Sequence, residues 1–149
     1  MGKHEKEIKK VVSSMHMGNL LYKNYIKKTN DELLKKELMR VLNRFENHVD
    51  KMKEVCNRYQ INNVDKLNVR QELSLSVQLM KQYKNDYAIL SDAIKGLNMG
   101  TLGMLDFIHN NQKINYEIKD YSKERHKVIT YFEIGELLTE AGGRYGDKI

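Results

Sequence analysis

The chain has 149 residues, enough for one domain of ordinary size but not for two independent cores. It contains no proline and no tryptophan, and 31% of its residues are charged while 40% are hydrophobic. The lack of proline argues against turn-rich sandwiches and barrels, and the hydrophobic content is too high for a disordered chain. We therefore expect an all-α fold.

The formal net charge is +6, but 26 basic residues are interleaved with 20 acidic ones. Nucleic-acid binding requires a stripe of one sign, so this mixture disfavours a nucleic-acid partner. No apolar run is long enough to span a bilayer, and the first residues do not resemble a signal peptide. These features predict a cytoplasmic protein without a membrane partner. The single cysteine, Cys56, excludes an internal disulfide and a thiolate-rich zinc site.

Apolar residues at alternating steps of three and four predict two long helices in the first half of the chain. Helix A is expected over residues 3–28 and helix B over residues 30–59. A capping box between Thr29 and Glu32 is expected to start helix B. Because the turn between A and B is short, the two helices must be antiparallel neighbours. The most regular stripe belongs to helix B: Leu34, Leu38, Val41, Phe45, His48, Met52, Val55 and Tyr59.

The second half of the chain predicts another hairpin after a long crossover. The crossover covers residues 60–85 and includes a short helix over residues 69–83 that carries Leu73, Val77, Leu79 and Met80. Helix C is expected over residues 86–110, with Leu90, Ile94 and Leu97 facing inward, and helix D over residues 114–140. Residues 142–149 are expected to be a frayed tail, so the domain covers residues 1–141.

A short internal repeat relates helices A and C. The segment His16-Met17-Gly18-Asn19-Leu20 aligns with Asn98-Met99-Gly100-Thr101-Leu102 at an offset of 82 residues. Glycine inside a helix costs about 1 kcal/mol relative to alanine. Gly18 and Gly100 therefore predict close approach by a neighbouring helix, and a chance match is the alternative.

Two antiparallel hairpins joined by a long crossover resemble the ferritin-like superfamily. The Asn98-Met99-Gly100 segment, together with His48 and His126 late in helices B and D, is similar to small uncharacterised bacterial members, some of them linked to spore coats. The resemblance implies a ferritin-like four-helix bundle over most of the chain. For metal-binding members it also implies a glutamate on each of helices A and C, and a Glu-x-x-His pair on each of helices B and D.

Helices B and D depart from that ligand set. His48 and His126 could fill the two histidine positions, but Phe45 and Lys123 stand three residues before them, where glutamates are required. Glu46 and Glu124 precede the histidines by two residues. That step is a rotation of about 200° on an α-helix, so each glutamate points away from its histidine.

Helices A and C lack inward carboxylates as well. Met15 and Leu97 stand at the positions where the resemblance implies glutamates, and neither side chain binds a hard cation. We therefore predict the fold without a metal site or cofactor, with His48 and His126 as at most a vestigial pair. Glu133 could turn inward if the register of helix D differs, but one glutamate is too few for a dimetal site.

The polar residues near the predicted core have a structural interpretation. The sequence predicts a buried polar network formed by His48, Asn19, Thr101, Tyr22 and Tyr121. Such a network fixes helix register and performs no catalysis. The alternative for His48 is a metal ligand that remains from an ancestral site.

Three hypotheses for function follow. The first is a metal-free structural or interaction protein, spore-coat association included, that associates with itself through helix faces, for example as a dimer. The second is an iron- or manganese-binding oxidase or iron-handling protein whose ligands lie in a different register. The third is a basic adaptor for acidic partners. No catalytic motif is present in the sequence, so it favours a protein without enzymatic activity.

Overall fold

The structure, a computed structural model, describes residues 3–64 and 66–110. Over these residues the chain forms four helices and no strand: α1 (Lys3–Lys28), α2 (Glu32–Arg58), α3 (Val69–Met80) and α4 (Asp86–Asn110). The predicted all-α class is confirmed for this part of the chain. Helix D and the frayed tail, predicted over residues 114–140 and 142–149, lie outside the described residues. Among the four described helices, none has the length and apolar character that crossing a bilayer requires.

The turn between α1 and α2 is capped by a different residue from the one predicted. The side chain of Asp31 accepts a hydrogen bond from the amide of Leu34 at 2.8 Å, so Asp31 is the N-cap of α2. The predicted capping box between Thr29 and Glu32 is wrong. Thr29 is buried, and its hydroxyl donates to Oδ1 of Asp86 at 2.7 Å. Because a carboxylate caps a helix as well as a hydroxyl does, the Thr29 hydroxyl is available to tie this turn to the start of α4.

Buried apolar side chains form two clusters along α1, which packs against each of the other three helices. The upper cluster consists of Tyr22, Tyr25, Leu34, Leu38, Val41, Leu42, Phe45, Ile89, Leu90, Ala93 and Leu97. The lower cluster consists of Ile8, Val11, Val12, Met15, Val49, Met52, Val55, Cys56, Ile61, Val64 and Phe107.

The residues that belong to each cluster show the directions of the helices. The upper cluster joins the C-terminal half of α1 to the N-terminal halves of α2 and α4, and the lower cluster joins the opposite halves. Hence α1 is antiparallel to both α2 and α4, and these two run parallel to each other. Helix α3 runs in the direction of α1, since Gln71 contacts Ser13 while the Leu79 carbonyl contacts Lys28. The crossover therefore returns the chain to the end at which α2 begins.

The chain leaves α2 through a Schellman motif. The amide of Ile61 donates to the Cys56 carbonyl at 2.8 Å, and the amide of Gln60 donates to the Asn57 carbonyl at 3.0 Å. Gln60 has a φ of 60°, in the left-handed region that glycine usually occupies at this position. The motif turns the chain so that Ile61 and Val64 enter the lower cluster.

The inward stripe predicted for α4 is correct at Leu90 and Leu97 and wrong at Ile94. Leu90 and Leu97 are buried, whereas Ile94 is exposed and Ala93 is buried in its place. The small side chain of Ala93 lets α4 come close to α1, and the hydroxyl of Tyr22 donates to the Ala93 carbonyl at 3.1 Å. The inward side of α4 therefore runs through Leu90, Ala93 and Leu97, which differs from the predicted stripe at one position.

Candidate functional site

Three of the four positions at which the ferritin-like resemblance requires a glutamate lie in the described residues, and apolar side chains fill all three. Met15, Phe45 and Leu97 are each no more than 5% exposed. Met15 belongs to the lower cluster, and Phe45 and Leu97 belong to the upper cluster. The fourth position, Lys123, lies outside the described residues. A hard cation such as Fe²⁺ or Mn²⁺ needs oxygen donors, so these three positions contribute packing and no ligand.

Glu46 lies at the edge between α1 and α2, away from the core. Its Oε1 is 3.4 Å from Nζ of Lys23, and the Glu46 side chain is 41% exposed. His48, two residues further along α2, is half-buried. An ion pair as exposed as this one stabilises the fold by less than about 1 kcal/mol. Glu46 therefore links two helices at the surface, in the orientation that the rotation from His48 predicts.

The histidine side chains that the structure describes are not grouped with acidic neighbours as a metal site. Over residues 3–64 and 66–110, no three His, Cys, Asp or Glu side chains are grouped so that they could hold a metal ion. His16 is half-buried on α1, and His109 is exposed in the last turn of α4. His126 lies outside the described residues, so the vestigial pair of His48 and His126 stays a prediction.

The predicted polar network is described only in part. Asn19 and Tyr22 are buried, and the Tyr22 hydroxyl donates to a backbone carbonyl of α4. Tyr121 and the side chain of Thr101 lie outside the described part of the molecule. The contact of Tyr22 with the Ala93 carbonyl ties α1 to α4, and the network as a whole stays a prediction.

No described helix makes the close approach predicted at Gly18 and Gly100. A Cβ atom added to either glycine would meet no heavy atom within 4 Å. Helix α3 approaches α1 at a different place, where Nε2 of Gln71 donates to Oγ of Ser13 at 3.2 Å. Within the described residues there is space for a methyl group at both glycines.

A polar cluster that the sequence analysis did not single out joins the end of the crossover to α1 and α4. We call it the Tyr83 cluster, and it consists of Tyr25, Lys28, Lys81, Tyr83 and Asp92. The Tyr83 hydroxyl and Nζ of Lys81 both donate to Oδ2 of Asp92, at 3.0 and 2.7 Å. The ammonium groups of Lys28 and Lys81 lie 5.7 and 5.5 Å from the centre of the Tyr83 ring. The Tyr25 ring meets that of Tyr83 edge to face, with 6.2 Å between ring centres.

The Tyr83 cluster holds its tyrosines neutral and its carboxyl group ionised at neutral pH. Burial, helped by the charge of Asp92, raises the pKa of Tyr25 to about 12. Burial and the hydrogen bond to Asp92 raise the pKa of Tyr83 as well. Burial alone would raise the pKa of Asp92, but hydrogen bonds from Lys81 and Tyr83 outweigh it and hold that pKa below 3.8. Groups with pKa values this far from neutrality are suited to anchoring the crossover and unsuited to proton transfer.

Cys56 is the single cysteine of the chain. It is fully buried in the lower cluster, and burial raises the pKa of its thiol to about 11. Because the thiolate is the reactive form, Cys56 behaves as a small core residue.

Comparison of the chain with protein-family models, with curated proteins and with solved structures gives no match. The described residues define an all-α protein in which α1 is packed between α2 and α4 over an apolar core.

Proposed function

We propose that this chain is a metal-free helical bundle of the ferritin-like type, with a structural or interaction role. The observation that carries the proposal is the burial of Met15, Phe45 and Leu97 in the apolar core. A dimetal site would need glutamates there, because two ions require several hard oxygen ligands between the helices. Apolar side chains at these positions stabilise the bundle by packing, and they offer no oxygen ligand to a metal ion.

The directions of the helices support the ferritin-like part of the proposal. A crossover that runs back along a bundle makes the helices before and after it parallel, and α2 and α4 are parallel here. Residues 114–140, the predicted helix D, would then complete the bundle between α2 and α4. The exposed side chains of Ile94 and Leu102 on α4 offer that helix an apolar face.

The surface of the molecule supports an interaction role. Met99 of α4 and five residues of α3 are large apolar side chains that are exposed; those of α3 are Val69, Leu73, Val77, Leu79 and Met80. Contiguous apolar patches on a protein surface usually mark a binding face. We therefore include self-association through helix faces in the proposed function.

Metal content after loading tests the proposal. Full-length protein is incubated anaerobically with Fe²⁺ or Mn²⁺, desalted and analysed for metal, with a known dimetal protein treated alongside. We expect far less than one ion per chain, with the same value for Glu46→Gln. Two ions per chain that are lost in His48→Ala would contradict the proposal and favour the iron- or manganese-handling alternative.

A further inference from the structure

Helix α3 presents its apolar side to solvent. Val69, Leu73, Val77 and Met80 follow one another at steps of four, four and three, which places them within about 80° on one side of the helix. Their side chains are between 64% and 81% exposed, and no residue of α3 is buried. We call these four residues the α3 stripe.

Hydrogen bonds hold α3 in this orientation at both ends. Near its start, Gln71 takes part in a capping box, and its Nε2 also donates to Oγ of Ser13 at 3.2 Å. At its end, Nζ of Lys28 donates to the carbonyls of Leu79 and Lys81, both at 2.7 Å. Turning the α3 stripe inward would break the contact of Gln71 with α1. These hydrogen bonds therefore keep the α3 stripe facing outward.

The α3 stripe belongs to the side of the molecule away from the core. Ser13 and Tyr22 are nine residues apart on α1, which corresponds to opposite sides of the helix. Helix α3 contacts the Ser13 side, and Tyr22 points into the upper cluster shared with α2 and α4. The rest of the chain continues from Asn110 at the end of α4. A helix D between α2 and α4, as in the proposed bundle, would leave α3 uncovered.

We propose that the α3 stripe is the surface through which two copies of this chain associate, with the two α3 helices packed against each other about a two-fold axis. This inference rests on the proposed self-association and names its surface. Four side chains of this size and exposure offer roughly 400 Å² of apolar area, within the range of about 300–600 Å² for the largest patch on a monomer. Two copies would bury about 800 Å² of apolar area together, and the polar surface around the two stripes would have to supply the rest of the roughly 1,200 Å² that a stable interface needs.

Charge on α3 favours a second copy over a lipid surface. The helix carries one cation and one anion, Arg70 and Glu72, so two copies meet without net repulsion although the whole chain has a charge of +6. A helix that binds membranes is rich in Lys and Arg on its polar side, whereas this polar side contains Gln71 and contacts α1. Ser74 and Ser76 are small and exposed beside the stripe, which lets a second helix come close.

Solution mass measured over a series of concentrations tests the proposal on the full-length protein. Wild type is expected to reach twice the chain mass of 17.6 kDa. The double variant Leu73→Glu, Val77→Glu is expected to raise the dimer Kd at least 100-fold. Both side chains are exposed, so its circular dichroism should match that of wild type. The matched control is Met99→Glu on α4, the same type of change at a side chain that is 74% exposed, and it should leave the dimer intact.

A cross-linking experiment keeps the proposal testable if the double variant does not fold. Ser76→Cys places an exposed thiol near the middle of α3, and the native Cys56 is buried. Under mild oxidation Ser76→Cys should form a disulfide-linked dimer, and Met99→Cys should not. Cross-linking of Met99→Cys alone would contradict the proposal.

The remaining outcomes separate this inference from the proposed function. If the double variant still dimerises, or if only Met99→Glu breaks the dimer, the proposed role of α3 is wrong. Self-association would still be part of the proposed function. A wild-type monomer at every concentration overturns both. A monomer that binds vesicles of phosphatidylcholine and phosphatidylserine, but not after the double substitution, assigns the α3 stripe to lipid and overturns the dimer. Metal content is measured separately, so a metal-loaded dimer would contradict only the metal-free bundle.

Discussion

Replacing Phe45 with alanine removes the largest side chain at a position where the ferritin-like ligand set requires a glutamate. Phe45 is buried in the upper cluster, and its ring meets that of Tyr22 edge to face with 5.9 Å between ring centres. Truncating a buried phenylalanine costs about 3–5 kcal/mol, as lost apolar burial plus the cavity that remains. The edge-to-face pair accounts for about 0.5–1.5 kcal/mol of that loss.

The surroundings of Phe45 place the expected loss near the middle of this range, at about 4 kcal/mol. Tyr22 lines one side of the site and is held by its hydrogen bond to the Ala93 carbonyl, so it cannot move freely into the cavity. A conservative replacement, Phe45→Leu, keeps most of the volume and should lose only about 1–1.5 kcal/mol.

Equilibrium unfolding in urea, followed by far-UV circular dichroism, measures these losses. The matched control is Met39→Ala on the same helix, where the side chain is exposed and the loss should stay below about 1 kcal/mol. If Phe45→Ala costs no more than Met39→Ala, Phe45 does not lie in the core and the argument for an apolar centre fails.

Three substitutions and one labelling experiment test other parts of the structure. Gly18→Ala should stabilise the protein by about 0.5–1 kcal/mol in thermal unfolding, because no described residue would meet the added methyl group; a loss of stability would reveal a close neighbour. Gln60→Gly should gain about 0.5–1 kcal/mol in the same assay, since the residue has a φ of 60°, and an unchanged midpoint would show that the turn is unstrained. Asp92→Asn should cost about 1 kcal/mol at pH 7. Because folding lowers the pKa of Asp92, its contribution is present above the ordinary value of 3.8 and is lost as the pH falls below it, so wild type and variant should converge in acid-unfolding curves. Cys56 should react with a thiol reagent at pH 8 only as fast as the protein opens, and rapid labelling of the native protein would contradict its burial.

The long helices α1 and α2 follow directly from the amino-acid pattern. Their apolar positions alternate at steps of three and four with charged residues between them, and this period is compatible with no other regular structure. The stripe of α2 is correct from Leu34 to Val55 except at His48, which is half-buried. Tyr59 is exposed because α2 ends at Arg58.

The orientation of α3 and α4 could not be predicted from pattern alone. Helix α4 has apolar residues on several sides, so its pattern does not show that Ala93 is buried and Ile94 exposed. The pattern of α3 shows which side is apolar but not that this side faces outward. The hydrogen bonds of Gln71 and Lys28 to residues more than 50 positions away fix that orientation.

The candidate site was partly readable from the sequence. The sequence shows that Met15, Phe45 and Leu97 are apolar, but their burial depends on how the helices pack. No sequence pattern predicts the Tyr83 cluster, because only the tertiary fold brings Tyr25 and Asp92 together. The Schellman motif was hidden because Gln60 occupies the position where glycine is the usual marker.

A titration with Mn²⁺, observed through the side-chain methyl signals of the core, tests the central claim most directly. Paramagnetic Mn²⁺ bound between the helices would broaden the methyl signals of Met15, Leu38 and Leu97, all of which are buried. We predict that these signals keep their intensity while signals from surface residues broaden alone. Selective loss of the three core signals at two equivalents of Mn²⁺ would contradict the metal-free bundle.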